Sequence, residues 1–370
     1  MDELRQESIT SALLKLIKAK TSRLGRGFRI MEVCGTHTMT VYRYGLHPLL
    51  EEAGINLISG PGCPVCITPD EYHELIIDLL TKRPETIVAS FGDMTRVPTA
   101  AGSLQNAIPA SSSSLKIVYS PLEALDLASR YPTKEVIFFG AGFETTIPSI
   151  ALTVKEARIR GLKNFSLLAA LWLIPPPLRV ILETGEVALD GFLYPGHVST
   201  IIGSEPYQFV AEEFGLPGAI TGFEPNDILL AILSILDQIQ AGHPEVAIEY
   251  RRAVTAQGNP KAQKIMAEVF EKQDAFWRGL GLIPRSGLGL RPEYQDFEAR
   301  QRFSLHVNFN QGATNSACRC GEVLRGVLAP SECPLFGQTC RPESPYGPCM
   351  VSYEGACLIH FKYHQTRRKR

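Results

Sequence analysis

Residues 136–146, Val-Ile-Phe-Phe-Gly-Ala-Gly-Phe-Glu-Thr-Thr, decide the fold class of this chain. Four apolar residues that favour strands run into a turn with small residues, and a helical pattern follows at 147–160. The same order of apolar run, short turn and helix recurs from about residue 28 to residue 240. This order is typical of βαβ units, so it predicts an α/β fold whose parallel sheets are covered by helices on both faces.

The recurring pattern contains enough strands for two sheets. Strand candidates lie at 56–58, 86–89, 115–119, 136–139, 167–173, 191–194 and 219–221, and helix candidates lie at 121–130, 147–160, 177–187 and 226–240. Seven strands suit two doubly wound domains better than one very wide sheet. We therefore expect an α/β domain I at 28–120 and an α/β domain II at 121–242, with a boundary that the sequence places only within 115–150.

The two ends of the chain differ from this central region. Residues 1–27 carry an amphipathic helical pattern, and we expect this helix to pack on the C-terminal domain. From 243 onward the pattern changes: residues 245–280 look helical, and a segment rich in Pro, Gly, Arg and Cys follows. We predict a helical and loop-rich third domain at 243–370, in which a metal cluster replaces part of a hydrophobic core.

Composition and charge exclude several functions. The chain has 370 residues, of which 45% are hydrophobic and 20% charged, values typical of a soluble globular protein. Its formal net charge of −1 gives no basic field for nucleic acid, so we expect no nucleic-acid partner. The apolar run at 167–174 is far shorter than the ~20 residues that span a bilayer, and the N-terminus has no apolar signal core. We expect no membrane contact and a cytoplasmic location.

Nine cysteines are the unusual feature of the composition. Three lie near the N-terminus and six lie within a short C-terminal segment: Cys34, Cys63 and Cys66, then Cys318, Cys320, Cys333, Cys340, Cys349 and Cys357. In a reducing compartment, clustered cysteines are more often metal ligands or redox-active thiols than structural disulfides.

The N-terminal cysteines occur in two short motifs. Cys63-Pro-Val-Cys66 follows a strand candidate and precedes a helix, whose positive end lowers the pKa of a nearby thiol. We interpret it as a redox dithiol rather than half of a zinc site, because the sequence has no second C-x-x-C. In Cys34-Gly-Thr-His37, the thiol and imidazole could bind iron or zinc, or the histidine could activate the cysteine. The alternative for Cys34 is a buried, inert cysteine.

The spacing of the six C-terminal cysteines lacks the paired C-x2-4-C knuckles of zinc sites. Long, irregular gaps are compatible with four thiolates around a cubane iron-sulfur cluster. Six cysteines leave two spare. Cys318 and Cys320 compete for the first position, and Cys349 is the expected bystander. We take Cys320, Cys333, Cys340 and Cys357 as the ligand set, with Cys318 as the alternative to Cys320.

Polar residues follow other strand candidates. Asp93, Glu144 and His197 each lie where a strand ends, and ligands bind outside the carboxyl ends of parallel strands. They are candidates for acid-base groups or for partners of the ligating residues. The alternatives are a turn residue for Asp93 and a helix-terminal charge for Glu144. Residues 140–142, Gly-Ala-Gly, resemble a phosphate loop but match neither nucleotide fingerprint, so a nucleotide site is the weakest hypothesis.

Several of these blocks together resemble the HypD family of hydrogenase maturation factors. The matching blocks are Cys34–His37, Gly60–Cys66, Phe91–Pro98, Gly142–Thr146, Pro195–Ser199 and the tail from Cys318 to Cys357. They occur in order from about residue 30 to residue 360, so the resemblance covers nearly the whole chain.

The resemblance implies a scaffold for the Fe(CN)2CO unit of NiFe hydrogenases rather than a conventional turnover enzyme. The implied partners are a HypC-type chaperone and a HypE-type cyanide donor, with HypF activating the carbamoyl precursor and the hydrogenase large subunit contacted only indirectly. Cys34 is the implied iron ligand, shared with the chaperone's N-terminal cysteine, and His37 assists there. Cys63 and Cys66 are the implied redox pair, and the tail is implied to hold a 4Fe-4S cluster, as in ferredoxin:thioredoxin reductase.

Two other functions remain open at this point. One is a thiol-disulfide oxidoreductase whose cluster reduces Cys63–Cys66 for delivery to a partner protein. The other is a zinc-stabilised nucleotide-binding module, which rests on residues 140–142.

Overall fold

A computed structural model describes residues 2–108, 114–307, 309 and 317–365. Its strands are β1 (Phe28–Glu32), β2 (Ile55–Ser59), β3 (Ile87–Ser90), β4 (Leu115–Ile117), β5 (Val136–Gly142), β6 (Phe165–Leu171), β7 (Gly191–Pro195), β8 (Gly218–Thr221), β9 (Val246–Ile248), β10 (Phe270–Trp277) and β11 (Gly281–Leu290). All seven strand candidates of the sequence correspond to strands.

The helices include all four helix candidates. They are α1 (Glu7–Leu24), α2 (Gly35–Arg43), α3 (Leu46–Glu52), α4 (Pro64–Ile67), α5 (Asp70–Lys82), α6 (Gly92–Thr95), α7 (Leu104–Ala107), α8 (Leu122–Arg130), α9 (Ile147–Ile159), α10 (Pro175–Thr184), α11 (Gly196–Ile202), α12 (Gln208–Phe214), α13 (Pro225–Ala241), α14 (Pro260–Val269), α15 (Ala299–Arg302), α16 (Cys320–Leu324) and α17 (Ala356–Gln365). In the described part of the chain, none of them is long and apolar enough to cross a bilayer.

Two parallel sheets form the framework. The first has five strands in the order β2-β1-β7-β8-β9, and the second has four in the order β4-β3-β5-β6. Strands β5 and β6 are buried along their whole length, as expected for parallel strands covered on both faces. The α/β fold class with two parallel sheets is therefore confirmed.

The two sheets divide the chain differently from the expected boundaries at 28–120 and 121–242. Strands β1 and β2 share a sheet with β7, β8 and β9, while β3 to β6 form the other sheet. Each expected domain thus contributes strands to both sheets. Strand β1 is a central strand that pairs with β2 on one side and with β7 on the other. Sequence periodicity identifies such a strand but carries no information about its distant partner.

The N-terminal helix does not pack where the sequence analysis placed it. Instead of lying on the C-terminal domain, α1 packs along α13 of the first sheet's helical layer. Leu13 and Ile17 are buried there, and Lys20 forms an ion pair with Asp237. Helix α13 is apolar on more than one face, so one face covers the sheet and another accepts α1.

The region after residue 243 is less helical than expected. Within 245–280 only α14 is an α-helix; β9 joins the first sheet, and β10 pairs with β11 as an antiparallel hairpin. Strand β10 has charged residues in its middle, and its buried residues lie toward its ends, so the helical pattern was misleading. The later described residues form β11, short helices and loops. Residues 308, 310–316 and 366–370 of this domain lie outside the described residues.

Candidate functional site

The two N-terminal cysteine motifs lie side by side at one sheet edge. Cys34 follows β1 and is the N-cap of α2, and Cys63 follows β2 and is the N-cap of α4. Because β1 and β2 are parallel neighbours, the loops after them leave the sheet together. Gly62 allows close contact, since a Cβ atom there would lie 2.5 Å from the backbone nitrogen of Cys34. The sheet register thus brings Cys34 next to the Cys63–Cys66 segment.

Cys63 and Cys66 form a disulfide with a Cα–Cα distance of 5.3 Å. Both residues are buried, and the backbone N–H of Cys66 donates to Sγ of Cys63 at 3.2 Å. The pair is in its oxidised form, which is one of the two forms that a redox dithiol must adopt.

A buried carboxyl group that the sequence analysis did not select contacts Cys34. Oε2 of Glu32 accepts the backbone N–H of Cys34 at 2.9 Å, and its other oxygen accepts the hydroxyl of Thr38. Burial raises the pKa of Glu32 to about 8. Burial also raises the pKa of the Cys34 thiol to about 12, with the charges of Glu354 and Glu32 adding to the rise. Cys34 is therefore a protonated thiol at neutral pH unless a metal replaces its proton.

A second unselected carboxyl group reaches this site from the C-terminal tail. Oε1 of Glu354 accepts the Thr36 hydroxyl at 3.2 Å, and burial raises the pKa of Glu354. A Cβ atom at Gly35 would collide with the Glu354 backbone, so the tail lies directly on the first turn of α2. Nothing in the sequence near Glu354 marks it, except that it precedes Cys357 by three residues.

Asp93, which lies in α6 after β3 of the second sheet, contacts the same tail segment. Its carboxylate pairs with Arg96 at 2.6 Å and accepts the backbone N–H of Tyr353 at 3.2 Å. Arg96 lies near the ring of Tyr353. Asp93 therefore holds the segment that carries Glu354, and it does not itself contact Cys34.

His37 and His197 belong to a separate aromatic group. The ring centroids of His37 and His197 lie 5.1 Å and 3.8 Å from that of Phe223, which follows β8. His37 is fully buried, and burial lowers its pKa to about 3, so its imidazole is neutral. Neither of its ring nitrogens has a hydrogen-bond partner among the described residues. The ionisable neighbours of Cys34 are Glu32 and Glu354, whereas those of His37 are His197 and Asp227. Cys34 and His37 thus lie in different electrostatic environments.

Glu144 lies apart from the cysteines. Its Oε1 accepts the backbone N–H of Ile174 at 3.0 Å, its Oε2 is buried with no partner among the residues that the structure describes, and burial raises its pKa to about 7. It lines a cleft of about 1080 Å³ beside α10, α14 and the β10–β11 hairpin. Residues 140–142 lie inside β5 and are buried, so the phosphate-loop interpretation of this segment was wrong.

All six tail cysteines line one small cavity of about 20 Å³. In the series Cys318, Cys320, Cys349 and Cys357, each thiol shifts the pKa of the next, and the backbone N–H of Tyr346 donates to Sγ of Cys340 at 3.3 Å. Cys349, the expected bystander, thus lies between two members of the expected ligand set. The rest of the lining is mostly apolar: Val323, Leu335, Phe336, Gly347 and Met350.

The thiols around this cavity are donors of the type that iron-sulfur clusters use. No three Cys, His, Asp or Glu side chains within the described ranges are arranged to hold one metal ion. In a four-iron cluster each thiolate binds a different iron, so its ligands surround a volume rather than converge on a point. Six thiols around an apolar cavity supply the required donor type and number.

The tail also folds back against the disulfide. Val323 and Leu324 of α16 line a cavity of about 10 Å³ together with Cys63 and Cys66. Helix α4 packs on α16 and on the 3-10 helix at Pro348–Met350, which contains Cys349. The disulfide and the tail cysteines are therefore in neighbouring, contacting elements, although about 250 residues separate them in sequence.

Comparison with known proteins gives one consistent result. A family model described as "HypD: Hydrogenase formation hypA family" matches residues 8–364. The chain is 45% identical to the hydrogenase maturation factor HypD of Rhizobium leguminosarum bv. viciae, covering 100% of this chain and 96% of that protein. It is 43% identical to the hydrogenase expression/formation protein HupD of Azotobacter chroococcum (100% and 97% covered) and 42% identical to HypD of Escherichia coli K12 (99% and 98%).

Proposed function

The chain belongs to the HypD family of hydrogenase maturation factors, and from that premise we propose that it is the scaffold on which the Fe(CN)2CO unit is assembled. One observation carries the proposal. A buried single thiol, a disulfide and a cysteine-lined cavity lie in three contacting elements. That arrangement supports the proposal of a metal ligand, an electron store and a cluster site next to one another.

Cys34 is the residue that binds the iron under assembly. A low-spin iron that carries cyanide and CO favours a soft thiolate donor in a shielded pocket, and Cys34 is buried. Its thiol must lose a proton to solvent when iron binds, because Glu32, with a pKa raised to about 8 by burial, is itself mostly protonated at neutral pH. The family resemblance implies a HypC-type chaperone, which supplies a second cysteine to the iron.

Cys63 and Cys66 store electrons for the assembly. Reduction of their disulfide breaks the S–S bond and consumes two electrons and two protons to give two thiols. Cys320, Cys333, Cys340 and Cys357, with Cys318 as the alternative to Cys320, hold a 4Fe-4S cluster. When bound, such a cluster supplies electrons one at a time. A low-potential one-electron donor from outside the chain is required to replace them.

The further partners follow from the family rather than from this chain's geometry. A HypE-type protein delivers cyanide, and the hydrogenase large subunit is contacted indirectly. His37 assists from the neighbouring aromatic group as a neutral imidazole. We place this assembly in the cytoplasm.

Infrared spectroscopy of the protein isolated anaerobically with its chaperone tests the scaffold. We expect cyanide and CO stretching bands in the wild-type complex and none with Cys34→Ala, while the iron and acid-labile sulfide of the tail remain. Bands that persist in Cys34→Ala would remove Cys34 as the ligand. Stoichiometric zinc without sulfide would contradict the cluster.

The contact between the disulfide and the tail favours one second candidate, a thiol-disulfide oxidoreductase that acts on a partner protein. This candidate predicts turnover of a generic disulfide substrate that Cys34→Ala leaves undiminished. Loss of turnover in Cys63→Ser together with unchanged turnover in Cys34→Ala would favour it over the scaffold.

A further inference from the structure

Arg278 is a buried cation between the tail cysteines and α4, which contains Cys66 and is called the disulfide helix below. It follows directly after β10 and is only 6% exposed. Neither the cysteine motifs nor the family blocks include it. A buried guanidinium is costly to desolvate and is normally retained only where its charge and its donors are used.

One side of Arg278 holds the segment that follows Cys66. Its backbone N–H donates to the carbonyl of Ile67 at 2.8 Å, and its Nη2 donates to the carbonyl of Thr68 at 3.0 Å. Its Nη1 pairs with the carboxylate of Asp70 at 3.0 Å. Arg278 therefore fixes the C-terminal end of α4, the helix that carries the disulfide.

The other side of Arg278 faces the tail. Arg278, Cys318 and Cys320 line one cleft of about 440 Å³. The next residue, Gly279, packs directly on the tail, since a Cβ atom there would lie 2.3 Å from the Cα atom of Gly321 in α16. Nε of Arg278 is buried and has no hydrogen-bond partner in the described part of the chain. The guanidinium thus has an unused donor and a positive charge within electrostatic range of two thiols.

We infer that Arg278 is a positioning residue for electron transfer, which holds the disulfide helix against the tail and stabilises the extra negative charge of the reduced tail site. This inference rests on the proposed function, because it requires a redox centre at the tail cysteines. Net charge and hydrogen bonds to sulfur set the reduction potential of an iron-sulfur site, and a nearby cation favours the reduced form. The planar fork of arginine serves Thr68 and Asp70 at once, which a lysine ammonium cannot reproduce.

Redox titration of the full-length, anaerobically purified protein tests the electrostatic part, with the cluster followed by electron paramagnetic resonance. We expect Arg278→Met to lower the midpoint potential, so that at a fixed potential the ratio of reduced to oxidised cluster falls at least tenfold, equivalent to 59 mV for one electron. Arg325→Gln is the matched control, because Arg325 lines the same cleft and also pairs with a carboxylate, Glu186, but its side chain is 25% exposed, so water screens its charge. It should leave the potential unchanged.

Arg278→Lys tests the positioning part and guards against misfolding, because it keeps a charge beside Asp70. We expect a potential close to that of wild type but slower reduction of Cys63–Cys66 by dithionite, measured by alkylation and mass spectrometry. An unchanged potential in cluster-loaded Arg278→Met, or wild-type dithiol reduction in Arg278→Lys, would overturn the inference while leaving the scaffold intact. Wild-type protein purified without iron and sulfide would overturn both the inference on Arg278 and the proposed tail cluster.

Discussion

The two cysteine regions of this protein are built in different ways. Cys34 and Cys63 lie on loops whose positions are fixed by the parallel pairing of β1 with β2 and by backbone contact at Gly62. The tail cysteines lie in a segment whose described residues form short helices and turns but no strand. The comparison teaches that the first site is organised by the fold itself, whereas the second depends on what its own thiols bind.

Removal of metal should unfold the tail and leave the sheet edge folded. We expect chelation of iron under reducing conditions to make residues 317–355 sensitive to protease, because thiols then replace the cross-links that a cluster provides. The two parallel sheets should stay resistant, since the pairing of their strands does not depend on the tail cysteines. Limited proteolysis with mass spectrometry, before and after chelation, measures the difference. Equal protection of the tail in both samples would show that the tail folds without a cofactor.

Because Glu32 is buried at the sheet edge, the free energy of unfolding of the protein should depend on pH between its unfolded and folded pKa values. Its pKa is about 8 in the folded protein against an ordinary value of 4.5, so the folded state holds the proton more tightly than the unfolded state does. Wild-type stability is therefore lost as the pH rises from 4.5 to 8, by roughly 4 kcal/mol, and the loss is complete above pH 8.

Glu32→Gln removes this titration. The free energy of unfolding of the variant, minus that of wild type, should rise by that amount between pH 4.5 and pH 8, as measured by chemical denaturation. A difference that does not change with pH would mean that Glu32 is ionised in the folded state throughout.

Much of the fold follows from the sequence because buried parallel strands appear as uninterrupted apolar runs. Strands β5 and β6 are of this kind and were predicted within a few residues. The hairpin β10–β11 was missed because its first strand has charged residues in its middle. The pairing of β1 with β7 was missed because it joins segments about 160 residues apart, a choice that local periodicity does not contain.

The candidate site was predictable where its chemistry is local. Cys34 and Cys63 were selected because a thiol beside a glycine or in a C-x-x-C motif has few structural roles. Glu32 and Glu354 were missed because a single carboxylate resembles a surface residue in sequence. Their burial arises only when the tail packs on α2 and β1 reaches the sheet interior. Pattern analysis therefore finds ligands more readily than the groups around them.

Gly62→Ala tests whether the sheet edge is preformed by backbone packing. The added Cβ would lie 2.5 Å from the Cys34 nitrogen, so one of the two loops must move. We expect a loss of about 1 to 3 kcal/mol in the free energy of unfolding, as for other overpacked sites, and reduced iron loading at Cys34. Gly92→Ala is the control, since the nearest side-chain atom there would lie at an ordinary 3.6 Å. Equal stability of both variants would contradict close packing at the sheet edge.

The smallest effect is expected where the two regions are joined through Asp93. Its ion pair with Arg96 is partly exposed, so Asp93→Asn should cost less than about 1 kcal/mol of global stability. An asparagine still accepts the Tyr353 N–H but no longer attracts Arg96, so the loop that carries Glu354 should open more often. Hydrogen exchange of the amides at 352–355 should quicken, while Asp126→Asn, which weakens a surface contact with Arg160, should leave them unchanged. Unchanged exchange in Asp93→Asn would mean that Glu354 is held by its packing on Gly35 and its hydrogen bond from Thr36, and that the sheet edge, rather than the tail, fixes the junction between the two regions.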